Sequence, residues 1–373
     1  NGFSVSHFVS VFRFWAPSQN DFNRETVLPK NETPHTMSQS KEHHSGTVTM
    51  ESVGRLAGVS QVTVSRALND PSKVSAKTLQ RIKDAIELTG YVPNMVAGAL
   101  ASKRSHLIVA LIPSITNFAY SEFIKHFIQV MRGHGYHVLT AETGLSMEEE
   151  ESVLATMLSR RPDGIMMTGI NHSAKCKRML LGSGIPVVEI WDMTESPIDT
   201  CVGFSHAKSG EETAKFAHKK GYRNALAISA ADERALRRKD AFCETFRKLG
   251  NNPVKEICLD SPASLELGRK SLAQAIDEGF KNGVVMCSSD LLAHGVIIEA
   301  QTRNLRIPED IAVIGFGNQN FAAFTVPSLT SLHVDRAYLG SQAATALMAR
   351  IDKKPLQKNC IDIGFEIVER DSA

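Results

Sequence analysis

Cysteine, tryptophan and long apolar runs are all scarce in this sequence. Its six cysteines (Cys176, Cys201, Cys243, Cys258, Cys287 and Cys360) form no CxxC pair, and no Cys/His cluster has zinc spacing. Reduced, packed thiols are the expectation, with no metal and no cofactor. No apolar run approaches the ~18–20 residues that would span a bilayer, so no membrane partner is expected. A GxSxG elbow and a P-loop are both missing, which removes two common enzymatic plans, and no enzyme activity is expected. Net charge is missing too: the 373 residues sum to only +2, with 42% hydrophobic and 22% charged residues. That balance excludes a disordered polyelectrolyte and fits two or three globular domains.

The charge is unevenly placed. Residues 47–105 hold eight Lys/Arg against four Asp/Glu, so the rest of the chain is net negative. A compact basic module on a near-neutral body suits a head that binds a polyanion. Before it lie 46 residues of a different kind. "FSVSHFVSVFRFW" is interrupted by His7 and Arg13 and has no basic start or small-residue cleavage site, so it does not read as a signal peptide. The polar stretch that follows lacks periodicity. Residues 1–46 are expected to be disordered or non-native, with translation starting at Met37, and they are given no function.

Residues 47–91 read as three short helices. Thr49 can cap the first, with Val53, Leu56 and Ala57 on one face and Gly58 ending it. Ser60 can cap the second, with Val64 and Leu68 inward. Ser75 can cap the third, with Leu79, Ile82 and Ile86 inward. The "GVS" turn makes the first two a helix-turn-helix. The outer face of the second helix carries Gln61, Val62, Ser65 and Arg66, groups that can meet base edges in a major groove. Thr63 could instead serve as a local cap, and Arg66 could be a solvated surface arginine. Residues 92–105 read as a linker able to form about two helical turns, weakened by Gly98 by roughly 1 kcal/mol and marginal in isolation.

From His106 onward apolar runs alternate with amphipathic ones. "LIVALIP" (107–113), "HVLTA" (137–141), "GIMMT" (164–168), "PVVEI" (186–190), "ALAIS" (225–229), "VKEICL" (254–259), "VVMCS" (284–288) and "DIAVIGF" (310–316) read as buried strands with helices between them. Repeated βα units imply parallel sheets covered on both faces, and there are enough for two subdomains. Ligands bind such sheets beyond the strands' carboxyl ends. "GFGNQN" (315–320) starts like a dinucleotide fingerprint but lacks the third glycine, and "MEEEES" (147–152) reads as a solvated helix start.

"VTMESVGRLAGVSQVTVSRALNDPSKVSAKTLQRIKDAIELTGYVPNMVAGALASKRS" resembles the head of the lactose-repressor (LacI/GalR) family of bacterial transcription regulators, and the resemblance runs from about Val48 to the C-terminus. It implies a small all-α head on an α/β body of the type I periplasmic-binding-protein fold: two doubly wound parallel-sheet lobes in residues 106–373, joined by crossovers near 204, 332 and 354. It implies a homodimer, or a higher oligomer, that binds palindromic half-sites of double-stranded operator DNA in the cytoplasm. Gln61, Val62 and Arg66 match base-reading positions, and Thr63 and Ser65 match phosphate or edge contacts. Thr49 and Ser60, at the helix starts, complete the set on the head. Leu100 matches a minor-groove wedge, with Asn94 and Ala97 as further groove contacts.

For the effector, the resemblance points to Ser114, Asn117, Phe118, Trp191, Arg238, Ser289, Asp290 and Asn318. Family members for neutral sugars often carry an aspartate where this chain has Gly317. Losing a carboxylate while keeping Arg238 favours an anionic ligand. Arg238 could otherwise sit in a surface ion pair within "ERALRRK", and Trp191 could be core packing rather than a stacking platform. "VVEIWD" and "IDIGF" are similar to the gluconate-repressor branch. The expected function is a repressor of sugar-acid catabolism released by a small sugar acid. The alternatives are a regulator answering to a neutral sugar or nucleoside, and a sugar-binding solute protein.

Overall fold

The computed structural model describes residues 48–93 and 104–373, which fall into two compact units divided at Pro93. The first unit is a three-helix head: α1 (Met50–Ala57), α2 (Gln61–Asn69) and α3 (Ala76–Thr89). Each helix begins on a hydroxyl cap. Thr49 accepts from Ser52 N in a capping box, Ser60 from Thr63 N, and Ser75 from Thr78 N. The core is Val53, Ala57, Val64, Ala67, Ile82, Ala85 and Tyr91.

The turn depends on two glycines. Gly58 ends α1 at φ 66°, in the left-handed region. Gly54 was not singled out from sequence, yet a Cβ there would lie 2.8 Å from the carbonyl oxygen of Val59. The chain therefore folds back against the small-residue face of α1 formed by Val53, Gly54 and Ala57. That turns Leu56 outward to 51% exposure, contrary to the expectation that it faces the core.

The second unit contains two α/β lobes. In the first, β1 (Leu107–Ile112), α4 (Phe118–Gly133), β2 (His137–Glu142), α5 (Met147–Leu158), β3 (Gly164–Thr168), α6 (Ala174–Ser183), β4 (Val187–Ile190) and β5 (Thr200–Gly203) follow one another. The chain then crosses over. The second lobe holds α7 (His206–Lys219), β6 (Ala225–Ala230), α8 (Glu233–Lys248), β7 (Lys255–Leu259), α9 (Leu265–Asp277), β8 (Gly283–Cys287), α10 (Asp290–Thr302), β9 (Ile311–Phe316) and β10 (Thr330–His333). The chain returns for α11 (Arg336–Ile351) and β11 (Cys360–Asp362), and crosses a last time to β12 (Glu366–Val368).

The sheets run β11-β5-β4-β3-β1-β2 and β12-β10-β9-β8-β6-β7, parallel throughout except for β12, which pairs antiparallel with β10. Both order themselves outward from an inner strand, β1 or β6, so each has a switch point where a crevice opens. Each sheet is packed on both faces. In the first lobe, Phe123, Phe127, Ala343 and Leu347 cover one side, and Leu154, Cys176 and Leu180 the other.

Four features differ from expectation. The last crossover falls between β11 and β12, at residues 363–365, not near 354. The reason is that the chain adds β11 to the first sheet before leaving it. Strands β5, β10, β11 and β12 have only three or four residues each, too few to show a period, and they were not read from sequence. The cysteines are not all reduced thiols: Cys201 and Cys360 form a disulfide. They are direct register partners on β5 and β11, with Cα atoms 4.7 Å apart despite a sequence separation of 159. The acidic run at the start of α5 is also not simply solvated. Glu150 lies 2.8 Å from His172 Nδ1, and Glu151 accepts from Ser173 Oγ at 2.6 Å and Lys175 Nζ at 2.9 Å.

Gly54→Ala is expected to destabilise the head. Its helix-propensity gain of ~1 kcal/mol is outweighed by overpacking against backbone, typically ~1–3 kcal/mol. Differential scanning calorimetry should show a lowered head transition and an unchanged body transition.

Candidate functional site

On the head, the residues expected at DNA divide by exposure. Gln61, Val62 and Arg66 are exposed on α2, Val62 at 66%. An apolar side chain turned to solvent beside an arginine and an amide contributes nothing to the core, and it matches the mixed chemistry of a major-groove edge. Thr63 and Ser60 are engaged with each other, their hydroxyls 2.9 Å apart, so the local-cap alternative is the one the fold displays. Thr49 is likewise held in its capping box. Ser65 is half-buried, with Asn69 Nδ2 donating to its carbonyl at 2.9 Å. Asn94, Ala97 and Leu100 lie outside the described residues, as do residues 1–46.

On the body, the site grows from the first turns of α8, at the carboxyl end of β6. Arg234, Arg237 and Arg238 are spaced three and four apart and share a helix face. Arg238 is 5% exposed. Its guanidinium stands 3.7 Å over the Phe316 ring. Nη1 donates to His206 Nδ1 at 2.9 Å, and Nη2 donates to the Ser288 carbonyl at 3.2 Å. None of these partners is anionic, so the surface ion-pair alternative does not hold. Burial brings the guanidinium down to about 10, which leaves it charged at neutral pH.

Its neighbours reach the first lobe. Arg237 makes a bidentate pair with Asp192, through Nη1 at 3.1 Å and through Nη2. Arg234 Nη2 donates to Tyr120 Oη at 2.7 Å. His206 Nε2 donates to the Trp191 carbonyl at 2.7 Å. Asn171 bonds Glu233 across the same gap.

Of the two readings of Trp191, core packing is the one the ring displays. The ring is 6% exposed and sits among Tyr120, Phe123 and Phe204 at 5.9, 6.2 and 6.4 Å, so its faces are taken by core aromatics rather than open for stacking. Its backbone is left-handed at φ 70°, a strained state for a bulky residue. Its Nε1–H is buried with no partner. Of six buried, unpartnered side-chain polar atoms among the described residues, four belong to this cluster: Trp191 Nε1, Arg234 Nη1, Arg237 Nε and Arg238 Nε. Native interiors satisfy most such donors, so this cluster gathers four that the protein itself does not satisfy.

Asp290 departs from its expected role. It is fully buried; its carboxylate accepts from Ser331 Oγ and from Gln319 N, each at 2.6 Å, and burial pushes its pKa up. It anchors the loop after β9, with each oxygen engaged by a group of the protein. Asn318 is engaged in the same way, its Nδ2 donating to His333 Nδ1 at 3.2 Å and its Oδ1 accepting from Arg370 at 2.7 Å. With the amides of Asn318 and Gln319 both donating to side chains, "GFGNQN" forms no phosphate cradle. Ser289 and Asn117 cap α10 and α4, Ser114 bonds Thr116, and Phe118 carries the guanidinium of Arg336 at 5.1 Å.

Sequence reasoning missed Arg234, Arg237 and His206, and reached Tyr120 and Asp192 only as the ends of the strand-end stretches 113–120 and 189–192 where a ligand is expected. The helical spacing within "ERALRRK" could have found the two arginines; nothing in the sequence marks His206.

Comparison with known proteins places this geometry. Residues 49–94 match the model for bacterial regulatory proteins of the lacI family, and residues 214–373 match a periplasmic binding protein-like domain. The chain is 35% identical to the HTH-type transcriptional regulator GntR of Pseudomonas aeruginosa, over 90% of this chain and 99% of that protein. It is 30% identical to the regulator of the same name in Escherichia coli, over 85% and 96%. A crystal structure of a LacI-family regulator from Silicibacter pomeroyi superposes with a TM-score of 0.83 at 32% identity, covering 87% of this chain and 99% of that one.

Asp290→Asn replaces one acceptor with a donor facing a donor. Leaving a buried group unsatisfied costs ~1–3 kcal/mol. The body's thermal midpoint should fall in the absence of any ligand, as measured by calorimetry.

Proposed function

The chain belongs to the LacI family of bacterial regulatory proteins, and on that footing we propose that it is a repressor released from its operator by a small sugar acid. Family membership makes it a DNA-binding transcriptional regulator and removes the solute-binding alternative. In the proposed reading it acts as a homodimer on palindromic half-sites, with Gln61, Val62 and Arg66 reading bases while Thr49, Ser60, Thr63 and Ser65 lie along the phosphates.

The observation that carries the effector reading is Arg238, a buried guanidinium with no anionic partner beside three further unpartnered donors. A neutral sugar would leave that charge uncompensated. A carboxylate supplies charge-assisted hydrogen bonds of ~1.5–3 kcal/mol each. Arg237 is paired with Asp192 and Arg234 lies 4.0 Å from Asp232, so Arg238 is the one guanidinium of the three with no carboxylate in direct contact. The sugar acid's hydroxyl oxygens would accept from Trp191 Nε1 and Arg234 Nη1. Ser114, Asn117, Phe118 and Ser289 form the proposed rim, where polar groups would exchange local bonds for ligand. The resemblance to the gluconate-repressor branch selects gluconate as the first candidate.

Two substitutions test the two ends. Arg66→Ala should lower operator discrimination by ~1–3 kcal/mol, the worth of a bidentate base contact, while the body stays folded. Unchanged specificity in a gel-shift titration would reject the assignment. Arg238→Ala should keep operator affinity and lose the response to acid. Calorimetry with gluconate, 2-ketogluconate, 6-phosphogluconate and ribose decides the class: heat from ribose alone would overturn the acid reading.

A further inference from the structure

We propose that His206 positions Arg238 and ties it to the first lobe, so that anion capture on α8 passes across the cleft through one imidazole. The inference rests on the reading that Arg238 receives the effector's carboxylate.

His206 opens α7 immediately after the first crossover and is 3% exposed. Both ring nitrogens are committed, one to each lobe: Nδ1 to Arg238 at 2.9 Å, Nε2 to the Trp191 carbonyl at 2.7 Å. These partners fix the proton. A guanidinium only donates and a carbonyl only accepts, so Nδ1 must be bare and Nε2 must carry the hydrogen. The ring is therefore neutral and of one tautomer. Burial first, then the charges of Arg238, Arg234 and Arg237, hold its pKa well below the ordinary value and keep it so.

The ring is also fixed in space. Phe204 meets it edge-on at 4.4 Å, and Phe316, whose ring carries the Arg238 guanidinium at 3.7 Å, lies 6.4 Å away. A guanidinium drawn toward an anion cannot move without pulling on Nδ1, and the imidazole is stiff. The displacement reaches the backbone of Trp191, already in the left-handed region. The next residue, Asp192, is held directly by Arg237. The Trp191–Asp192 pair is thus gripped twice by α8, once by an ion pair and once through His206. A ligand shifts the lobes only if it binds one arrangement better than the other. The two-sided bond of His206 makes the position of Arg238 depend on that arrangement.

Two isosteres separate the halves. His206→Asn keeps an acceptor near the Nδ1 position but is too short to reach the Trp191 carbonyl. His206→Gln carries an amide toward the Nε2 position and leaves Arg238 without its acceptor. Gluconate affinity is measured by calorimetry, and operator affinity with and without saturating gluconate by fluorescence anisotropy. His206→Asn should bind gluconate near the wild-type affinity while operator release falls by about tenfold. His206→Gln should weaken gluconate by about tenfold or more and keep release at saturation. Wild-type affinity and release in both variants would overturn the proposal. Nitrogen-15 spectra of histidine-labelled protein decide it independently of any effector: a bare Nδ1 with a protonated Nε2 in the wild type, lost on Arg238→Ala, supports it, and a protonated Nδ1 in the wild type overturns it. If wild-type protein takes up no acid, the effector reading falls, and the spectrum alone judges the positioning role.

Discussion

A guanidinium buried against neutral partners is the constraint around which the body is arranged. Moving an ion out of water costs several kcal/mol even after relaxation. The chain offsets this at Arg238 with two hydrogen bonds to a charged donor, ~1.5–3 kcal/mol each, and a desolvated ring face worth ~2 kcal/mol. These roughly balance the cost and leave nothing to spare, with Nε still unpartnered. The partners come from separate places: His206 from the first crossover, Ser288 from the end of β8, Phe316 from the end of β9. Only strands of parallel sense bring their carboxyl ends to one side, so the sheet direction is a precondition of the charge site.

The same economy appears across the gap between lobes. Tyr120, Asn171, Trp191 and Asp192 follow or flank strand ends of the first lobe, and each meets a residue at the start of α8 or α7. A structural bond and an unpartnered donor often sit on one side chain. Arg234 gives Nη2 to Tyr120 and keeps Nη1 unpartnered; Trp191 buries its ring and keeps its indole N–H unpartnered. Groups serving two purposes make the cleft hard to read from residue type alone. Asp290 shows the opposite case: an aspartate placed where a ligand contact is expected is consumed by Ser331 and Gln319.

The head solves a smaller problem with fewer resources. Its core is seven buried side chains, three of them alanine, and its turn depends on backbone meeting backbone at Gly54. Small residues inside leave larger ones for the surface, and Val62 outside is the visible result. Hydroxyl caps at all three helix starts supply local order that so small a core would not.

Local pattern determined a good deal. The caps at Thr49, Ser60 and Ser75, the αL glycine at Gly58, and eight of the strands follow from periods and end signals contained within a few residues. The outward Gln61, Val62 and Arg66 follow from helical spacing in the same way, whereas Arg238 was singled out by the family resemblance. Tertiary structure decided what depends on residues far apart in the chain. It put Cys201 opposite Cys360, moved the last crossover past β11, and turned Leu56 out. It gave Asp290 to Ser331 and joined His206 to both Arg238 and Trp191. The physical reason is range. A cap or an amphipathic face is fixed by neighbours one helical turn away, whereas a buried polar atom is satisfied by whatever the fold brings to it, and here those partners stand between 15 and 159 positions distant.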